Sequence, residues 1–281
     1  NGSSWTDITR SSGDYSATAK EGWTSTVLGG VLIMANGFDD PQFWALSSGV
    51  PSVSTRMADL SNWPASTEAY SVRAFRSFLI ALNVKESSVP YTRLVKWSTE
   101  GATQAVPTSW DENTATVDAG EYELADSKGA ILDGLPLGDT FMIYKEDSTY
   151  SMTFVGTPFI FSFRQISPTI GALAKNCIAE FDGGHFIFGN GDMYINDGRQ
   201  IKSILPHKMR DYVFGNINGD EYQKSFVAAD YANTEMWACY VTSGNSDAQC
   251  DKALVYNWVN QTFTERDIPN LGFIGYGTQA D

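Results

Sequence analysis

The sequence predicts an all-β, β-propeller-like fold of about five to six repeated antiparallel meander blades. Three observations lead there. Residues 184–204, GHFIFGNGDMYINDGRQIKSI, read as three short strands (185–188, 193–195 and 201–205) parted by polar turns at 189–192 and 196–198. Asn-Gly and Asp-Gly between alternating apolar residues favour hairpins, because the tight turns need positive φ. The same phrase, an apolar run, a polar turn and an aromatic-bearing strand, opens at Val31, Phe78, Phe141, Phe186 and Phe226, with separations of 47, 63, 45 and 40 residues. Four-stranded propeller blades repeat at roughly 40–50 residues. Composition is the third observation: 13% aromatic residues and 25 glycines suit short strands and turns better than helices. A β-sandwich also has short strands and frequent turns, but it need not repeat a phrase.

Residues 1–26 are expected to form N-terminal strands, around Trp5 to Arg10 and near Trp23, that complete an upstream blade or border the first one. Residues 27–281 then form the propeller domain. Its first hairpin turns at Asn36 and Gly37, and Pro41, lacking an N–H, belongs to the loop or the start of the return strand. Residues 45–72 read as a strand plus connector, and 73–97 as the second blade. A polar insertion near 98–120 accounts for the 63-residue gap and carries a short helix expected near Ser109, capped by Ser109 or Asp111. Residues 121–138 read as a compact loop. The third blade (139–166) ends in a period-2 strand in which Phe159, Phe161 and Phe163 share a face. Residues 167–178 form a connector, the opening phrase is blade four, and 224–269 make blade five. Its outer strands lie at 252–258 and 261–266, and a sixth phrase begins at Leu271.

At 281 residues and 42% hydrophobic, the chain can bury a core as one large domain or two smaller ones. No stretch approaches 18 uninterrupted apolar residues, so no membrane span is expected. The first residue is Asn and no signal-peptide pattern opens the chain, which points to a piece of something longer. With a net charge of −14 and 19 basic residues, tight nucleic-acid binding is disfavoured. The main basic concentration, Lys202, His207, Lys208 and Arg210, is diluted by Ile204, Leu205 and Pro206. An acidic surface that DNA slides past without sticking is compatible with these numbers.

The chemistry-bearing residues assemble into no convincing site. A glycosidase needs a carboxylate pair, and the adjacent or near acids are Asp39 with Asp40, Asp111 with Glu112, Glu121 with Glu123, Glu146 with Asp147, and Asp220 with Glu221. Nearly all fall in expected turns, where such residues are solvated or bond their own backbone. Residues 216–221 resemble part of a calcium loop but lack its alternating acids and distal glutamate. Only His185 and His207 are available as histidines, and His185 lies on an apolar strand. Cys177, Cys239 and Cys250 make no metal pattern. Cys239 and Cys250 flank a turn-like stretch and could pair across a hairpin, although three ordinary buried thiols are the simpler reading. The expectation is a non-enzyme: no catalytic residue, no cofactor and no metal ligand.

Four stretches resemble the tail nozzle proteins, the tail tubular protein B type, of short-tailed double-stranded DNA bacteriophages. They are Asn36-Gly-Phe-Asp-Asp-Pro-Gln-Phe-Trp44, the run from Gly129 to Asp147, Gly184-His-Phe with Asp192-Met-Tyr-Ile-Asn-Asp-Gly198, and Lys252-Ala-Leu-Val-Tyr-Asn-Trp258 with Arg266-Asp-Ile-Pro269. The resemblance covers most of residues 20–269, although members of that family are usually longer. It implies a virion structural protein with a β-propeller-like subunit that forms a homo-hexameric ring below the portal and adaptor. The implied partners are other copies of the chain, the tail adaptor protein, tail fibres, and genomic DNA passing through the channel during ejection. Contacts between copies are expected at the 98–120 insertion and the 121–138 loop. The alternative class is a carbohydrate-active or carbohydrate-binding β-propeller, either a tail-spike-like hydrolase or a lectin.

Overall fold

The computed structural model describes residues 6–16, 20, 22–47, 49, 52, 55–114 and 116–275. They form an all-β, β-propeller-like fold of five four-stranded antiparallel sheets, each a simple meander in which sequential strands pair. Blade one contains β1 (Thr24–Leu28), β2 (Val31–Ala35), β3 (Gln42–Trp44) and β4 (Met57–Asp59). Blade two contains β5 (Thr67–Phe75), β6 (Phe78–Glu86), β7 (Val89–Trp97) and β8 (Gly120–Glu123). Blade three contains β9 (Ile131–Leu137), β10 (Thr140–Lys145), β11 (Thr149–Gly156) and β12 (Ile160–Ser167). Blade four contains β13 (Ile178–Phe181), β14 (Gly184–Phe188), β15 (Met193–Asn196) and β16 (Ile201–Ser203). A helix, α1 (His207–Asn216), precedes β17 (Phe226–Asp230), β18 (Glu235–Tyr240), β19 (Cys250–Asn257) and β20 (Thr262–Leu271) of blade five.

The chain divides into two compact units, one holding blades one and two and the other blades three to five. In the first unit β1 lies beside β5, first strand against first strand. Two hydroxyls stitch these strands together: Val72 N donates to Thr24 Oγ1 (3.1 Å) and Ala74 N to Thr26 Oγ1 (2.9 Å). Ile33, Ala69, Val72, Leu79 and Val84 form the unit's apolar interior. In the second unit β13 neighbours both β9 and β17. Phe186, Phe188, Met193, Tyr240 and Leu254 fill the space under α1, which contributes Met209, Val213 and Phe214, with Ile217 just beyond its end.

The apolar phrases locate the strands well. In blades one to four each phrase is the second strand and its aromatic partner the third: Phe43 and Trp44 on β3, Tyr91 and Trp97 on β7, Tyr150 on β11, Tyr194 on β15. In blade five the phrase at Phe226 is the first strand, so the pattern slips by one strand. The sixth phrase is not a new blade, because Leu271 ends β20 and residues 272–275 continue as loop; Tyr276 lies outside the described residues. At the other end, Trp5 also lies outside them, and residues 6–16 form turns and loop rather than strands. Arg10 holds this segment to blade one through Asp39 (2.8 Å) and Asp59 (3.1 Å).

Three further expectations are corrected. The helix near Ser109 is absent: Asp111 instead accepts Asn113 N (3.0 Å) and Thr114 Oγ1 (2.5 Å), a local turn that competes with helix formation. The stretch 121–138 is mostly strand, since β8 and β9 occupy its two ends. Phe159 is 76% exposed and precedes β12, so only Phe161 and Phe163 alternate on that strand. Helix α1 was not anticipated, although Pro206 at its start followed by apolar residues at 209, 213, 214 and 217 is a helical signal.

The polar insertion lies within blade two, between β7 and β8, and folds back on its own unit. Gly101 N donates to Ser77 O (2.6 Å) and Gln104 N to Gly29 O (2.7 Å). Trp110 is buried edge-on against Trp63, centroids 4.6 Å apart. Lys96, 2% exposed, sits among Glu112 of the insertion (2.8 Å), Glu121 of β8 (2.8 Å) and Glu86 of β6 (3.4 Å). Burial opposes its charge, but hydrogen bonds to Glu112 and Glu121 more than offset it and hold its pKa above the ordinary lysine value. Removing that ammonium leaves three carboxylates crowded around a hole. Lys96→Met is expected to destabilise the protein by about 3 kcal/mol in urea unfolding. Lys85→Met, at the more exposed pair with Glu68 (2.6 Å), is expected to cost less than about 1 kcal/mol. Equal small losses would contradict a clamping role for Lys96.

Candidate functional site

The five acidic pairs are dispersed, and most of their oxygens already have structural work. In blade one Asn36 Oδ1 accepts Phe38 N (2.9 Å) and Asp39 N (3.0 Å), while Asn36 Nδ2 donates to Asp39 Oδ2 (2.8 Å). Asp39 also receives Ser16 N (2.8 Å) and faces Arg10. Its neighbour Asp40 is pushed above the usual carboxylate range by burial and the charge of Asp59, with Arg10 opposing. Glu121 and Glu112 share Lys96, and Glu123 pairs with Arg93 (2.5 Å). Residues 216–221 form a turn in which Asn218 Oδ1 accepts Asp220 N (2.9 Å), and Glu221 faces Lys224 (3.0 Å) and Lys20 (3.7 Å). The hydrogen bond from Lys224 and its charge keep Glu221 below the ordinary glutamate value.

Glu146 and Asp147 lie in the turn between β10 and β11. Gly129 N donates to Asp147 Oδ2 (2.9 Å) and Ala130 N to Glu146 Oε2 (3.1 Å), so the two ends of the run 129–147 clasp each other. A Cβ at Gly129 would stand 2.5 Å from Asp147 Oδ1, which explains the glycine. Burial raises the Asp147 pKa, but the hydrogen bonds from Gly129 and Ser148 outweigh it and keep the carboxylate below its usual range.

Beside this clasp the second unit carries a groove with two lobes. One, of about 520 Å³, is lined by Glu146, Leu173, Asn190, Phe214, Ile217 and Tyr222, among others. The other, of about 330 Å³, adds Asp147, Thr169 and Tyr194 and shares Glu146 and Asn190 with the first. Every lining residue comes from a second-to-third-strand turn, its flanking strand end, or a connection between blades, which emerge at the same end of a four-stranded meander. Backbones approach closely beside it: a Cβ at Gly171 would lie 2.1 Å from Lys145 O, and one at Gly189 would lie 2.9 Å from Gly171 O. Sequence reading singled out Glu146 and Asp147 but not this groove, because Phe214 belongs to the unanticipated helix and the glycine contacts are long-range.

His185 is buried in the same unit but in a closed network rather than a cleft. Its Nε2 lies 2.8 Å from Pro136 O, its Nδ1 2.7 Å from Tyr144 Oη, and Asn196 Nδ2 donates to that hydroxyl (3.0 Å). The arrangement fits a neutral ring with the proton on Nε2, donating to the carbonyl and accepting the tyrosine hydroxyl. Burial lowers the imidazole pKa to about 4 despite the opposing pull of Pro136 and Asp133. His207, by contrast, is exposed on α1 beside Asp211 (3.4 Å). The three cysteines are free and buried. Cys239 stands opposite Ala253 and Cys250 opposite Leu271, so the two do not face each other across the hairpin. Burial raises the pKa of all three thiols, which makes them poor nucleophiles. Among the described residues no group of three or more His, Cys, Asp or Glu side chains is placed to hold a metal ion.

The buried histidine has a consequence for acid stability. The unfolded chain takes up the proton near pH 6.5 and the folded one only near pH 4, so its contribution is complete above 6.5 and lost as pH falls between these values. Between pH 6.5 and 5 the native protein is expected to lose about 2 kcal/mol through this group. His185→Gln, referenced to its own stability at pH 7.5, is expected to show a shallower slope; superimposable slopes would contradict the assignment.

No protein-family model matches the chain, and no curated protein resembles it in sequence. Solved structures do resemble it. A protein from Lactobacillus plantarum aligns over 88% of this chain and 72% of its own, at 9% identity and a TM-score of 0.51. Kluyveromyces lactis Hsv2 aligns over 87% of this chain at 10% identity and a TM-score of 0.46; the chain spans 62% of that protein's length. The extracellular domain of BT4673, a one-component system protein from B. thetaiotaomicron, aligns over 90% of this chain and 29% of its own at 9% identity and a TM-score of 0.49. Likeness of this kind concerns the fold alone.

Proposed function

We propose that the chain is a virion structural protein: a tail nozzle (tail tube) subunit of a short-tailed double-stranded DNA bacteriophage. The observation that carries this reading is the role of the residues behind the family resemblance. Asn36 and Asp39 close a turn, and Gly129 and Asp147 clasp a hairpin. Asp192 binds Arg210 (2.6 Å), Asn196 Oδ1 accepts Gly198 N (2.9 Å), and Arg266 pairs with Glu235 (3.3 Å) and covers the Trp237 ring at 4.9 Å. These motifs build blades. Their shared presence in such a protein is what a scaffold requires, since rigid blades set the geometry of the contacts between copies.

In this reading six copies form a ring through heterologous, closing contacts, seated on the tail adaptor protein and carrying tail fibres. Genomic DNA passes through the ring without tight binding, because a chain of net charge −14 presents few phosphate-neutralising groups. The protein acts in the virion and performs no catalysis. No helix among the described residues is long and apolar enough to cross a membrane.

Native mass measurement and electron microscopy of the full-length protein test the reading. A six-fold ring, alone or with adaptor protein, is the expected result. A monomer that stays single with adaptor present contradicts it, as would a channel lined mainly by Lys and Arg.

A further inference from the structure

We propose that the two-lobed groove of the second unit is a docking site for a positively charged peptide segment of a partner protein, an arginine or lysine flanked by apolar residues. The inference stands on the chemistry of the groove and not on the ring. Two carboxylates, Glu146 and Asp147, border it, and the described residues lining either lobe include no Lys or Arg. Asp147 is held ionised by its hydrogen bonds. Glu146 is exposed and accepts Ala130 N–H at Oε2 alone, so its second oxygen is available to a donor. Asn190, also exposed, adds an amide between the lobes.

Three aromatic side chains complete the walls: Tyr194 in one lobe, Phe214 and Tyr222 in the other. Carboxylates beside aromatic faces suit a guanidinium or ammonium group, which gains charge-assisted hydrogen bonds and ring contacts together. The aliphatic stem of such a side chain packs on Leu173 and Ile217. Phosphate-bearing ligands meet the opposite situation, repulsion from two carboxylates with no Lys or Arg among the described lining residues. The chain's overall negative charge also steers a basic segment toward the surface at low salt. A neutral glycan would use the rings and amide but gain nothing from the charge. Charge dependence therefore separates the two ligands.

Calorimetric titration of the full chain tests the proposal, using acetyl-Leu-Arg-Gly-Arg-Leu-amide and a control with citrulline at both arginine positions. Saturable one-to-one binding of the arginine peptide is expected, weakened about tenfold by citrulline and by Glu146→Gln, which removes the charge but keeps an acceptor for Ala130 N–H. Asn190→Ala, at an exposed turn, is expected to weaken binding by a smaller factor and serves if the first variant is unstable. Absence of saturable binding overturns the proposal. So does equal affinity for both peptides, indifference to Glu146→Gln, or displacement of the peptide by a neutral oligosaccharide at comparable concentration. Binding is read per chain, so a failure of ring assembly and a failure of docking are separate results.

Discussion

Each hairpin of a β-blade ends in backbone N–H groups that no neighbouring strand can reach, and these groups must be satisfied somewhere. In this protein side-chain oxygens satisfy them. Asn36, Asp147, Asp192, Asn196, Asp197 and Asp230 each accept backbone N–H donors at or beside a turn. The short strands depend on this arrangement. A three-residue strand such as β3 or β16 makes few ladder bonds, and its position is set as much by the turn before it as by its pairing. Much of the acidity of the chain is therefore part of its architecture, and the surplus of carboxylates does not require a catalytic explanation.

The same economy appears at the buried charges. Lys96 gathers glutamates from two strands and an insertion, and so connects a long polar loop to the sheet that it interrupts. His185 does the equivalent with neutral partners, linking β14 to β9, β10 and β15. A network whose donors and acceptors are all matched rigidifies a core, whereas one left half-matched weakens it. Both clusters lie inside blades or between neighbouring blades of one unit. They explain how the units hold together rather than how they act.

Much of this was legible in the sequence, for physical reasons. The second strand of each of the first four blades is the most buried of its sheet, so its apolar run stands out against the polar turn that follows. Fourth strands are less distinct. β8 has one buried residue of four, and β20 none of ten, so hydrophobic patterning marks them weakly. In blade five the first strand, β17, is itself apolar, which drew the phrase one strand early. Helix α1 went unread because its apolar residues are spread among Lys208, Arg210 and Asp211, a surface pattern that also suits a connector. The acid pairs were identified and four of the five lie at turns or loops as expected, whereas Glu121 and Glu123 stand on β8; the groove was not foreseen. It depends on Gly171 and Gly189 letting distant backbones touch, and nothing local in the chain announces that contact.

A structural rather than catalytic role for the conspicuous acids is tested in one variant, Asp147→Asn, assayed by urea unfolding and against a panel of bacterial surface polysaccharides. Replacing the carboxylate weakens the hydrogen bonds from Gly129 and Ser148, and the account predicts a loss of about 1–2 kcal/mol in stability. It predicts no hydrolysis by either form. A variant as stable as the native protein, which has lost a hydrolytic activity that the native protein displays, would contradict the account.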